Sequence, residues 1–183
     1  RLSCDSVFIV DPIDGTRAFV AGANTWAHSL AVARNGAVTA AVVFLPARDK
    51  LYTATLGGGA ASNGAALTAP ERRDLAGAPL LASRPALDKR HWRAGIPPIE
   101  RHFRPSLAYR LSLVGEGRFD AMLTLRDSWE WDIAAGALIA AEAGAHVSAR
   151  DGTTLVFNTP QRLTPGVVAA PQALHEALRA ELA

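Results

Sequence analysis

Cysteine occurs once in these 183 residues, at Cys4. A single thiol excludes an internal disulfide and fits a reducing compartment, so the cytoplasm is the expected location. No positioned histidine accompanies Cys4, and it reads as an ordinary small thiol rather than a nucleophile. Long apolar runs are missing as well. Glu142 interrupts the longest, far short of the ~20 residues that a membrane-crossing helix needs. Charge of one sign is scarce: 19 Lys and Arg against 17 Asp and Glu leave a formal +2. That excludes a nucleic-acid-scale patch, and Arg72-Arg73 and Lys89-Arg90 are short pairs of the kind found in solvated loops. None of His28, His91, His102, His146 and His175 has metal-ligand spacing to another, so they read as structural or surface residues. Trp26, Trp92 and Trp129 read as packing residues. The run Gly57-Gly58-Gly59 lacks the Gly-Lys-Ser/Thr ending of a phosphate loop and reads as a flexible hairpin. There is no internal repeat and no low-complexity segment.

What is present is a core-sized apolar fraction, 49% of the residues, and one dense motif. Asp11-Pro12-Ile13-Asp14-Gly15-Thr16 follows the apolar run Val7-Phe8-Ile9-Val10, which reads as a buried strand. Pro12 stiffens the turn by fixing its own φ and biasing Asp11 toward extended geometry. Two carboxylates ~4 Å apart repel by ~4 kcal/mol at an effective dielectric of 20. A cation between them relieves this, and hard oxygen ligands suit Mg²⁺. A second segment, Trp131-Asp132-Ile133-Ala134-Ala135-Gly136, opens a small-residue helix that runs to Glu142, with Asp132 at its N-terminus and Gly144 as its stop. Alone, Asp132 fits an N-cap as well as it fits a ligand.

Between the two motifs the pattern is mixed. His28–Arg34 and Ala37–Leu45 flank Asn35-Gly36, a strong hairpin signal. Lys50–Thr55 continues the meander, and Thr16–Ala21 reads as a short helix. Leu80–Ser83 and Phe119–Leu125 read as strands, and Pro105–Glu116 as an amphipathic helix burying Leu107, Leu111 and Val114. His146 opens a strand, Gly166–Ala170 is a last strand, and Leu174, Leu178 and Leu182 mark a final helix. Two sheet-containing regions, 1–79 and 80–183, meet near Leu80 in one compact α+β unit with the site between them.

Together the two motifs resemble the signature pair of the inositol monophosphatase family of Mg²⁺-dependent phosphatases: D-P-[I/L]-D-G-T after a strand and W-D-x-A-A-G at a helix start. Gly57-Gly58-Gly59-Ala60 with Asn63-Gly64 is similar to the family's G-x-G-A…N-G hairpin. Val114-Gly115-Glu116-Gly117-Arg118-Phe119-Asp120-Ala121 is similar to its V-A-x-G-x-x-D-A segment. The resemblance covers essentially the whole chain. It implies a layered αβαβα sandwich of the sugar-phosphatase type, lacking here its N-terminal helical layer. It implies Asp11, Asp14, Asp132 and the Ile13 carbonyl as ligands of two or three Mg²⁺ ions, with inhibition by Li⁺ and Ca²⁺. Asp11 and Thr16 are then catalytic, Thr16 orienting the attacking water. Gly15 and Thr16 would meet the phosphate at a helix N-terminus, where the dipole favours anions. The implied partner is a small phosphorylated metabolite, with neither nucleic acid nor membrane, and the implied assembly a homodimer.

Family members carry an acidic pair, usually Glu-Glu, some way before D-P-I-D-G-T. Here the ten residues before Asp11 hold no Glu, and Asp5 has no family counterpart, so an N-terminal portion carrying the pair is expected to precede Arg1. A chain without that pair would instead be a non-catalytic phosphate-binding or structural relative. For the substrate, inositol-specific relatives place a Glu a few residues before W-D, where this sequence has Leu123-Thr124-Leu125-Arg126. The family's G-[ST]-A substrate turn corresponds by spacing to Pro105-Ser106-Leu107. Arg17 resembles the D-G-T-K variant of relatives that cleave adenosine 3′,5′-bisphosphate, and Gly144-Ala145-His146-Val147 resembles that branch too. Arg is well shaped to hold a second phosphate.

Overall fold

The computed structural model describes residues 1–183. Six strands form an antiparallel meander in chain order: β1 (Ser6–Asp14), β2 (Ala27–Arg34), β3 (Ala37–Leu45), β4 (Lys50–Thr55), β5 (Gly59–Ser62) and β6 (Ala65–Ala66). Asn35 and Gly36 both adopt positive φ, 50° and 83°, which matches the turn twist to the strands of the β2–β3 hairpin. Strand alternation sends Ala27, Ser29, Ala31 and Ala33 inward with Val43, Leu45, Tyr52 and Ala54. The expected buried strand at Val7–Val10 is instead the sheet's edge. Only Ile9 and Asp14 of β1 are buried, while Phe8 and Val10 lie exposed on the outward face with Leu30 and Leu51.

One irregularity in β1 matters for everything downstream. Asp11 pairs with Ser29 and Asp14 with Ala27, so three steps on β1 match two on β2. In an unbroken strand, residues three apart point to opposite faces; the extra residue turns Asp11 and Asp14 to the same side. Pro12, which has no N–H to give the ladder, sits at that bulge on an edge strand, where proline is tolerated. The expected turn after the strand is therefore a bulge inside it. Gly15 then takes φ 90° and leads into the one-turn α1 (Thr16–Val20).

The second sheet runs β11 (His146–Ser148), β13 (Val167–Ala170), β9 (Ala121–Thr124), β7 (Pro79–Ala82) and β8 (Glu100–His102). β7 lies parallel to both β8 and β9; β13 runs antiparallel to its neighbours. A two-stranded ladder joins β10 (Ser128–Trp129) to β12 (Leu163–Thr164). Helices α2 (Leu107–Gly115) and α3 (Glu130–Glu142) fill the space between the large sheets, and α4 (Gln172–Glu181) covers the far face of the second. Period-two alternation divides that sheet's side chains. Leu81, Met122, Val167 and Ala169 join the central core, whereas Leu80, Ala82, Leu123 and Val168 pack with Leu174 and Leu178 of α4.

The layer order is sheet, helix pair, sheet, helix: the expected sandwich without its first helical layer. The expected boundary at residue 79 falls inside β7, since Pro79 already pairs with Glu100 in the second sheet, and the two sheets share one core because α3 packs on the first. Several boundaries also move. The second helix begins at Leu107 rather than Pro105, because Ser106 is its N-cap and accepts from the Tyr109 N–H at 3.0 Å. The Phe119–Leu125 strand contracts to Ala121–Thr124. The glycine hairpin after β4 is not loose, since Gly57 and Gly59 N–H donate to the Glu142 carboxylate at 2.8 and 2.9 Å.

Candidate active site

The bulge in β1 and the start of α3 bring Asp11, Asp14 and Asp132 together, with one carboxylate oxygen from each lying within 4.8 Å of the others. Asp14 is buried and is anchored by α2. Its Oδ2 accepts from Ser106 Oγ at 2.6 Å and from the Ala108 N–H at 2.7 Å, leaving Oδ1 without a partner in that anchor. Asp11 Oδ1 accepts from the Ile13 N–H at 2.9 Å, and the Ile13 carbonyl accepts from Thr16 Oγ1 at 3.0 Å. The motif thus locks its own loop through two short-range bonds.

Asp132 is not a cap. The N-cap position of α3 is Trp129, with no side-chain cap bond, and the helix starts one residue earlier than expected, at Glu130. That start is held from outside the helix. Glu130 accepts from the Asn158 N–H, the Thr159 N–H and Thr159 Oγ1 at 2.8, 2.9 and 2.6 Å. Ser29 Oγ of β2 donates to the Trp131 carbonyl at 3.0 Å, and Trp129 stacks on Trp131 at 4.6 Å. Asp132 projects from a helical turn pinned on both sides.

Asp14 and Asp132 both carry raised pKa values, from burial first and from the neighbouring carboxylates second. Burial pushes the Asp14 carboxyl up to about 6, against the Ser106 and Ala108 bonds that lower it, and the Asp11 charge adds to the rise. Burial likewise pushes Asp132 well above the usual carboxylate range, reinforced by the Asp14 and Asp11 charges and opposed by Arg126. None of the three carboxylates is ion-paired; the salt bridges lie at Lys50–Glu116, Arg72–Asp120, Arg90–Asp88 and His102–Glu100.

The cluster opens into a cleft of about 1340 Å³. Asp11, Ile13, Asp14, Gly15, Thr16, Arg17 and Asp132 all line it. Ser106 does not. It is fully buried, and its hydroxyl is spent on Asp14 and the Tyr109 N–H, so in this structure it positions a carboxylate instead of meeting a substrate. Missed by sequence reasoning were the Ala108 N–H and four cleft arginines, Arg84, Arg101, Arg110 and Arg126. Arg110 had a visible signal, a charge within the first turns of a helix whose other residues are nearly all apolar.

The sequence profile of the inositol monophosphatase family matches residues 1–183. The chain is 39% identical over 155 residues to the inositol-1-monophosphatase of Rhizobium meliloti (strain 1021), covering 79% of this chain and 57% of that protein. It is 35% identical over 152 residues to the Nus factor SuhB of Escherichia coli (strain K12), with the same coverage of each chain. The crystal structure of the extragenic suppressor protein suhB from Bartonella henselae superposes at TM-score 0.82 and 26% identity, over 97% of this chain and 73% of that one. SaIMPase-II with inositol monophosphate bound shares the fold at TM-score 0.85 and 24% identity, over 98% and 70%. The chain belongs to the inositol monophosphatase family. It spans a little over half the length of the curated relatives that it matches.

Proposed function

We propose that this chain belongs to a metal-dependent phosphomonoesterase of small, cytoplasmic phosphate esters. The observation that carries the reading is the convergence of three aspartates, from segments more than a hundred residues apart, on one face of an open cleft without an ion-pairing partner. Three hard, anionic oxygens packed this closely fit Mg²⁺ better than any softer ion. Asp11, Asp14, Asp132 and the Ile13 carbonyl would hold it. When bound, Mg²⁺ supplies neutralisation of the phosphoryl charge, activation of water and stabilisation of the leaving oxygen.

The chain's own residues supply position. The Asp14 anchor on α2 and the pinned start of α3 fix the carboxylates before any ligand arrives, which spares reorganisation during the reaction. Thr16, whose hydroxyl donates to the Ile13 carbonyl, would orient the attacking water. Gly15 can hold its φ of 90° where a side chain would be strained, and its backbone faces the cleft beside Thr16.

Within this class, we favour adenosine 3′,5′-bisphosphate over inositol 1-phosphate. Arg17 supports the choice, being exposed at the cleft directly after Thr16 and free of any carboxylate partner. Solved structures of SaIMPase-II hold inositol monophosphate or 2′AMP, so an inositol phosphate and an adenosine monophosphate both bind in this fold. A phosphate-binding relative without catalysis is the second reading, in keeping with a relative named Nus factor SuhB among the similar proteins. Phosphate release by full-length protein from a panel of small esters, in Mg²⁺ and in excess chelator, separates the two. Mg²⁺-dependent release supports the enzyme; no release from any ester, or release unchanged by chelator, overturns it.

A further inference from the structure

Five arginines line the cleft: Arg17, Arg84, Arg101, Arg110 and Arg126. None of them is ion-paired, and the only acids in the lining are the three aspartates of the cluster. Their placement in the fold is not scattered. β8, β7 and β9 are adjacent parallel strands, and each delivers one arginine toward its carboxyl end. Arg101 lies in β8 and reaches the Ala82 carbonyl at the end of β7 with Nη1, at 3.1 Å. Arg84 stands two residues past β7, and Arg126 two residues past β9. Ligands of open α/β sheets bind outside the carboxyl ends of parallel strands.

Arg110 adds a second, independent observation. It projects from α2, is 5% exposed, and still lines the cleft. Its Nε donates to the Arg104 carbonyl, and its guanidinium lies 4.4 Å from the centre of the Phe103 ring. No carboxylate pairs with it, and burial pulls its pKa down to about 10, with Asp14 opposing and Arg126 adding to the fall. A buried charge without a counter-ion is costly unless something else supplies the opposite charge. With cations in the aspartate cluster, Asp14 no longer serves. A substrate carrying only one phosphate, itself held at the cluster, leaves these guanidiniums without a partner.

We propose that Arg110 and Arg126, with Arg84 and Arg101 beside them, form a second anion-binding pole of the cleft that holds a phosphate group of the substrate other than the one removed. The proposal rests on the phosphomonoesterase reading above and narrows it. The substrate class is a small ester with two phosphates, gripped at the metal cluster by one and at the ends of β7, β8 and β9 by the other. Planar guanidiniums bind phosphate oxygens in pairs, which is why arginine and not lysine suits such a pole.

Replacing buried Arg110 puts the fold at risk, so the exposed Arg126 and Arg84 carry the test, as Arg126→Gln and Arg84→Gln in full-length protein. The first measurement is the ratio of kcat/KM for adenosine 3′,5′-bisphosphate to that for adenosine 3′-monophosphate, with Mg²⁺. Each substitution is expected to lower that ratio about tenfold, the scale of one charge-assisted contact. The second measurement is equilibrium binding of inorganic pyrophosphate to metal-free protein, where the aspartate cluster repels anions. Binding about tenfold weaker in Arg126→Gln supports the pole even if no ester is turned over, in which case only the phosphatase reading falls. An unchanged ratio together with unchanged pyrophosphate binding reduces these residues to surface arginines and overturns the proposal.

Discussion

Ser106 Oγ donates to Asp14 Oδ2 at 2.6 Å, across 92 residues of sequence, while accepting from the Tyr109 N–H at 3.0 Å. One hydroxyl therefore starts α2 and fixes the buried carboxylate of the cluster. Capping and site geometry cannot be separated here, because they use the same oxygen.

Ser106→Ala removes both bonds. Loss of an N-cap costs ~1 kcal/mol, and loss of a partner to a buried carboxylate adds roughly as much again. Mg²⁺ affinity should also fall, by about 10- to 100-fold, as it does when the groups orienting a metal ligand are lost. Ser106→Thr keeps the hydroxyl and should recover most of both losses. Calorimetric Mg²⁺ titration of the three proteins checks this; equal Mg²⁺ affinity in Ser106→Ala would confine Ser106 to capping.

A second prediction concerns the crossing of α2 over α3. A Cβ on Gly136 would fall 2.7 Å from Leu111 Cβ and 2.9 Å from the Ala108 carbonyl oxygen. Gly136→Ala gains ~1 kcal/mol in helix propensity, but overpacking against another helix's backbone costs ~1–3 kcal/mol. The steric cost should win, lowering the melting temperature by a few degrees at this chain length. It should also disturb the Ala108 N–H that holds Asp14. A melting temperature raised by the substitution would show that the helices part easily.

The β2–β3 hairpin, the α3 run and the three aspartates were legible because each is written locally, in Asn35-Gly36, in a small-residue helix, and in dense motifs. Burial of β1 was misread because Val7–Val10 gives the same apolar run whether a strand lies inside a sheet or at its edge. Asp11 and Asp14, three apart, read as a turn, since nothing local announces that Pro12-Ile13 would be a bulge. Ser106 was placed by family spacing on the substrate side; only the packing of α2 against β1 shows its hydroxyl turned toward Asp14. The arginine pole was invisible because Arg84, Arg101 and Arg126 meet only through the parallel order of β8, β7 and β9.

His175 gives a pH prediction away from the site. It is buried on α4, its Nε2 lies 2.8 Å from Ser148 Oγ, and the His146 ring packs against it at 4.3 Å. Burial holds its pKa down to about 4, with His146 and Arg179 adding to the fall and Glu176 opposing it. The folded state thus prefers neutral His175, while the unfolded chain protonates near the ordinary 6.5. The stability this confers is complete above pH 6.5 and is lost as pH falls toward 4. His175→Gln, which keeps a partner for Ser148, should flatten the melting temperature against pH between 6.5 and 4. Parallel profiles for the two proteins would show that another group sets the acid limit.

Asp132→Asn separates a ligand from a structural residue. Because the N-cap of α3 is Trp129, the substitution touches no cap, and Glu130 with Ser29 still pins the helix start. Asn is nearly the same shape but lacks the charge a divalent ion needs, so Mg²⁺-dependent turnover should fall by two orders of magnitude or more, in line with the loss of a metal-oriented charge. The stability change should go the other way. In chelator, three carboxylates share one partly buried site, and removing one relieves repulsion that Arg126 offsets only in part. Metal-free Asp132→Asn should therefore melt higher than metal-free wild type near neutral pH, and Mg²⁺ should raise the melting temperature of the wild type much more than that of the variant. A residue that served only to support α3 would lose stability in both conditions and keep its response to Mg²⁺, so a variant that melts lower in chelator yet is stabilised normally by Mg²⁺ removes Asp132 from the metal site.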